Sequence, residues 1–227
     1  FCPVVRFTYF EVPQGAKKQS YGIGCYTTAR SYYELFPGTQ PLNSNDLSAK
    51  TVTMTQNASG GYDVTTTAGA TVQVPTSVGL ALTDDVTSSV IPLPFTFDYP
   101  GGSTTQVQID SNGRVLLNGT GPTNNAQFGL PAALLASPLH TLCPSYQDLE
   151  PDGAVNLQNV FAEPETANPG SVFLIIWRAV PCFGALTPST FAVALIDNGT
   201  SDSCEFRYQV LRNNSTSANG ALIVGFS

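Results

Sequence analysis

Few residues in this chain have the types and spacing that chemistry requires. His140 is the only histidine, so it would have to be the base of any serine- or cysteine-nucleophile enzyme. It lies in Pro138-Leu-His-Thr-Leu142, where alternation marks an ordinary strand position, and no enzyme is expected. Carboxylates alternate at Asp148, Glu150 and Asp152 before Gly153, with Asn156 and Asn159 at the ninth and twelfth loop positions. Oxygen ligands at that spacing are how calcium loops begin. Asn159 stands where the bidentate Glu should close the loop, and Pro151 interrupts it. The expectation is an acidic turn and no metal or other cofactor. A glycosidase pair drawn from these carboxylates, or from Glu163 and Glu165, needs a facing separation that sequence spacing does not set. Asp84-Asp85 reads as a turn before the strand beginning near Val90, and Trp177, in an apolar strand, as core.

The five cysteines are Cys2, Cys25, Cys143, Cys182 and Cys204, with no CxxC pair. Zinc is not expected, and an odd count leaves at least one thiol over. Cys182 and Cys204 bracket a strand-like run and are expected to form a disulfide, with Cys2 and Cys25 the second choice. Asn57, Asn118, Asn198, Asn213 and Asn214 each satisfy Asn-x-Ser/Thr, the N-glycan acceptor pattern. The first three fall at expected turns, where a glycan is tolerated.

The elements that must hold these residues are strands. Runs near 4–12, 50–56, 62–67, 71–75, 90–98, 104–110, 113–118, 153–160, 171–180, 189–196, 204–211 and 220–226 have strand character. Turn clusters separate them, and Ser111-Asn-Gly113 predicts a tight hairpin between Val107–Ile109 and Arg114–Leu116. One short helix is expected within 127–136. The fold expected is an all-β antiparallel β-sandwich of jelly-roll type, with residues 1–49 as an N-terminal arm and connector and 50–227 as the body.

Only 11% of residues are charged, against about 25% in ordinary domains. The net charge of −7 opposes binding to nucleic acid. Apolar runs such as Val172–Trp177 fall far short of the ~18 residues that cross a bilayer, so membrane insertion is not expected. The chain begins Phe1-Cys2 and reads as a mature secreted chain whose signal peptide has been removed. Residues 1–50 carry +2 and the remainder −9, a cationic arm beside an anionic body.

Leu82-Thr-Asp-Asp85, Val90-Ile-Pro-Leu-Pro-Phe-Thr-Phe97, Pro100-Gly-Gly102 and Ile109-Asp-Ser-Asn-Gly113 together resemble the opening of nidogen-like extracellular domains. The later Phe173-Leu-Ile-Ile-Trp-Arg178 and Ala221-Leu-Ile-Val-Gly225 are similar to that family's Trp-bearing strand and last strand. The resemblance spans residues 80 to 227 and departs at Tyr146, where the family's acidic loop usually carries Trp. It implies an extracellular β-sandwich used in adhesion or matrix assembly, with no catalytic residues to carry over.

Pro3-Val-Val-Arg-Phe-Thr-Tyr-Phe-Glu-Val12 has the highest β propensity in the chain, and left bare it would aggregate. Val4, Val5, Phe7, Tyr9, Phe10 and Val12 are therefore expected to be covered. The strand either completes its own sheet or is donated to a neighbour's. The role expected is a secreted subunit of a fibre, pilus-like polymer or surface layer, assembled head-to-tail from copies of itself. The second reading is a carbohydrate- or ligand-binding adhesion module of a larger surface protein, with glycans or other surface proteins as partners.

Overall fold

The computed structural model describes residues 10–11, 17–20, 32–36, 45–117, 121, 129–136, 140–152, 159–213 and 221–227. In chain order its strands are β1 (Phe10–Glu11), β2 (Lys17–Ser20), β3 (Tyr32–Phe36), β4 (Lys50–Gln56), β5 (Tyr62–Ala68), β6 (Ile91–Tyr99) and β7 (Gly102–Asp110). They continue as β8 (Arg114–Leu116), β9 (Thr141–Tyr146), β10 (Val160–Pro164), β11 (Val172–Pro181), β12 (Pro188–Ile196), β13 (Ser203–Val210) and β14 (Leu222–Phe226), with helix α1 (Pro131–Ala136) before β9.

The strands form two antiparallel sheets, an eight-stranded one ordered β1-β2-β3-β14-β9-β8-β7-β6 and a six-stranded one ordered β10-β11-β12-β13-β4-β5. The all-β sandwich expected from sequence is what forms. Tight turns keep sequence neighbours such as β4 and β5 or β7 and β8 adjacent within a sheet, while β3–β14, β14–β9 and β13–β4 are non-consecutive neighbours and the chain crosses between the sheets after β3, β5, β9 and β13. The topology supports the sandwich and goes no further towards the jelly-roll order. The Asn-Gly turn works as read: Ile109 pairs with Val115 and Asp110 with Arg114. Gly113 has φ +77° there, and a Cβ would collide with the Ser145 carbonyl.

Side chains alternate across β11 as the strand period requires. Phe173, Ile175 and Trp177 enter the core between the sheets, where Trp177 stacks on Phe191 at 5.0 Å. Val172, Leu174 and Ile176 form a second apolar cluster with Ala192 and Ala194. A strand buried on both faces reads as a continuous apolar run, which is how Phe173-Leu-Ile-Ile-Trp177 reads.

Three sequence expectations need correction. Residues 71–75 form no strand; they belong to a strap, residues 69–80, whose Val72 packs on the second cluster. Segment 32–36, taken as connector, is a strand paired with β14, with Tyr33 and Phe36 buried. Cys182 and Cys204 are separate buried thiols. The reason is distance along β12: Pro188 pairs with Pro181, beside Cys182, whereas Leu195 pairs with Cys204. About seven residues of strand span roughly 23 Å, and a disulfide tolerates a Cα separation of only about 7 Å. Cys2, Cys25, Val4, Val5, Phe7, Tyr9 and Val12 lie outside the described residues.

Of the arm, the described backbone of Phe10–Glu11 pairs with Lys17–Lys18 of the same chain, and β2 in turn pairs with β3. This part of the arm extends its own eight-stranded sheet.

Candidate functional site

The hairpin between β7 and β8 organises an acidic pole. Asn112, fully buried, donates its Nδ2 to Asp85 Oδ1 at 2.8 Å and accepts the Leu149 N–H on its Oδ1 at 2.8 Å. Its own N–H bonds Asp110 Oδ1 at 2.9 Å. Ser111 accepts the Val86 N–H on its hydroxyl. One turn thereby ties the 84–87 loop to the segment after β9, and Asp84, Asp85 and Asp148 converge, their carboxylate oxygens within 4.8 Å of one another. Burial pushes Asp84 up to about 6, and the charges of Asp85, Asp148, Glu150 and Asp152 push the same way.

Three oxygen donors at this spacing could hold a hard cation of the calcium class, and a proton on Asp84 would relieve the same repulsion. Of the acidic run read from sequence, only Asp148 joins the pole directly. Glu150 and Asp152 act on it through charge, while the Asn159 carbonyl is taken by the Arg178 N–H. The sequence reading missed that Asp84-Asp85 is the other half of the pole. The available signal was Ser-Asn-Gly, whose Asn is the clamp between the two acidic loops.

Behind the pole, Asp110 is fully buried against Arg114 at 2.9 Å, and the Arg114 guanidinium lies over the Tyr146 ring at 4.4 Å. Burial pushes Asp110 up to about 6 although Arg114 and the Asn112 N–H pull it down.

The nucleophile candidates sit in other surroundings. His140 packs its ring 5.0 Å from Tyr99, and burial lowers its pKa. Burial pushes the Cys143 thiol up to about 12 and the Cys204 thiol upward as well, and such thiols are inert.

Asn57 and Asn198 lie on surface turns. Asn57 Oδ1 accepts the Ser59 and Gly61 N–H groups, and Asn198 is exposed. Asn213 corrects its expectation: it is 3% exposed and accepts a bond from Asn45 Nδ2, so its packing leaves no room for a glycan. Asn118 and Asn214 lie outside the described residues.

The strap is tied to the six-stranded sheet by a buried carboxylate. Glu163, 4% exposed on β10, accepts the N–H of Thr76 at 3.0 Å, the N–H of Ser77 at 2.7 Å and Gln73 Nε2 at 2.6 Å. Burial pushes this carboxyl up, but those donors outweigh it and hold it below the ordinary range.

The model of the NIDO-related family matches residues 55–227, three quarters of the chain. The chain belongs to the NIDO-related family. No curated protein and no solved structure matches it. The NIDO-related match begins at the last two residues of β4 and runs through β14, so it includes the acidic pole, the strap and all of β5. Among the described residues no helix is long and apolar enough to cross a membrane. A nidogen-related domain is an extracellular structural or adhesion module in class.

Proposed function

We propose that this chain is a secreted, non-enzymatic structural module of an extracellular assembly, carrying N-glycans at Asn57 and Asn198 and acting through its sheet edges on copies of itself or on other surface proteins. The family match over residues 55–227 carries the reading. The buried polar groups support it: Glu163, Asp110 and Asn112 each turn their bonding capacity inward, onto the strap and the hairpin. That is how a rigid scaffold is built.

The narrower form, a head-to-tail polymer through donation of residues 3–12, would require Phe10–Glu11 to leave Lys17–Lys18 for another subunit. Their pairing within one chain favours an arm that widens its own sheet, and we build assembly on other edges. The test is native material fractionated into cell interior, surface and medium, followed by glycopeptide mass spectrometry. Recovery outside the cell with glycans on the Asn57 and Asn198 peptides is expected. Retention in the cytosol, without glycans, would contradict the reading.

A further inference from the structure

We propose that β5 is an assembly edge through which two copies of this chain pair antiparallel, about a two-fold axis at Thr65. The proposal deepens the reading of the chain as an assembly module and rests on it. From Asp63 to Ala68 every residue of β5 is exposed, so both faces of the strand lie in water. Val64, on the inward side with Met54, is still 37% exposed. Tyr62, at the start of the strand, reaches the core, its ring 4.7 Å from that of Phe226 on the opposite sheet.

The ladder shows which backbone groups are open. Asn57 N–H bonds the Gly61 carbonyl and Gly69 N–H bonds the Ala49 carbonyl, which fixes the alternation along the antiparallel pair. Asp63, Thr65 and Thr67 spend their groups on β4 partners Thr55, Thr53 and Thr51. Val64 and Thr66 therefore turn theirs to the open side.

Each of the other sheet edges carries a device that blunts it. β6 has Pro92 and Pro94 and a register break before Phe97. β10 ends in Pro164, and its Val160 carbonyl is taken by the Leu80 N–H. The described β1 is two residues long. In contrast, β5 keeps unbroken register for seven residues, with no proline, no lysine and a single charge, Asp63.

Self-complementarity selects a second copy as the occupant. With Thr65 opposite Thr65, Val64 meets Thr66, Tyr62 meets Ala68, and Asp63 meets Thr67 instead of another carboxylate. Open groups then face open groups at Val64 and Thr66 along the full strand, and two six-stranded sheets become one. Thr–Thr and Val–Thr cross-strand pairs suit such an edge. A strand-edge contact of this length buries less than a stable interface of about 1,200 Å², so the pairing is concentration-dependent. The net charge of −7 makes copies repel, and added salt should tighten the pair; a cationic partner would instead be released.

Sedimentation velocity on the deglycosylated full chain tests this. The wild-type mass should move from 24.0 kDa towards twice that as concentration rises, and further at higher salt. Thr66→Pro removes an N–H that the β4 ladder does not use and should weaken association at least tenfold. Val64→Lys should do the same while leaving every N–H in place. Circular dichroism on both variants guards against misfolding. A wild type that stays monomeric throughout, or folded Thr66→Pro and Val64→Lys proteins that pair as well as wild type, overturns the proposal. A secreted monomer would leave the module reading standing, whereas a cytosolic chain would remove that reading whatever the sedimentation shows.

Discussion

The two ends of the six-stranded sheet are treated in opposite ways. At the β10 end a strap crosses the sheet, Val72 packs on Leu174 and its neighbours, and Glu163 gathers the strap's N–H groups. At the β5 end the same kind of backbone is left in water on both faces. The apolar content of the strands accounts for the contrast: β11 needs cover on both sides, while the Thr-rich β5 is soluble uncovered. Burial at one end thus supplies stability, and polar exposure at the other leaves an edge free for association.

Breaking the covered end should have the largest effect. Leu174→Ala empties a fully buried site under the strap and is expected to cost about 2–5 kcal/mol, read as a lowered midpoint in urea. Glu163→Gln keeps the shape but loses the charge that several donors share. About 1.5–3 kcal/mol is expected, together with faster proteolysis within residues 69–80.

Acid should act on the same contact. The carboxyls of Glu163 and Glu165 are held below their ordinary values, Glu163 by strap donors and Glu165 by Arg207 and Asn168, each against the opposing effect of burial. A depressed folded value means their stabilisation is present above the unfolded value of about 4.3 and is lost as pH falls through the folded one. Strap release on acidification, followed by limited proteolysis, should therefore be steeper in wild type than in Glu163→Gln. At the open end, Thr66→Pro should move the monomer's stability by no more than about 1 kcal/mol, because it breaks no internal ladder bond.

Much of this architecture was legible. The alternation in β4, β5, β7 and β13, the continuous apolar runs of β11 and β12 and the Asn-Gly turn after β7 place the strands, and Trp177 as core follows from its apolar run. The strap was not legible, because Thr71-Val-Gln-Val-Pro75 has a strand's alternation and only the tertiary demand of Leu174 and Glu163 turns it into a cover. β3 was hidden by the Pro and Gly residues around Tyr32–Phe36, although its aromatic content marked it for burial. The acidic pole was half legible: the spacing of Asp148, Glu150 and Asp152 drew attention, but Asp84-Asp85 joins it through Asn112, a contact between loops far apart in sequence. The Cys182–Cys204 pairing failed because adjacency of strands says nothing about which ends meet.

Amide hydrogen exchange resolved by residue, at low and high protein concentration, tests the central contrast most directly. Thr76 and Ser77, bonded to Glu163, should be protected at every concentration. Val64 and Thr66 should exchange freely in dilute protein and become protected as concentration rises, while Thr65, bonded within the hairpin, changes little. Val64 and Thr66 amides that exchange freely at all concentrations, or that are already protected in the dilute monomer, would contradict an open edge built for pairing.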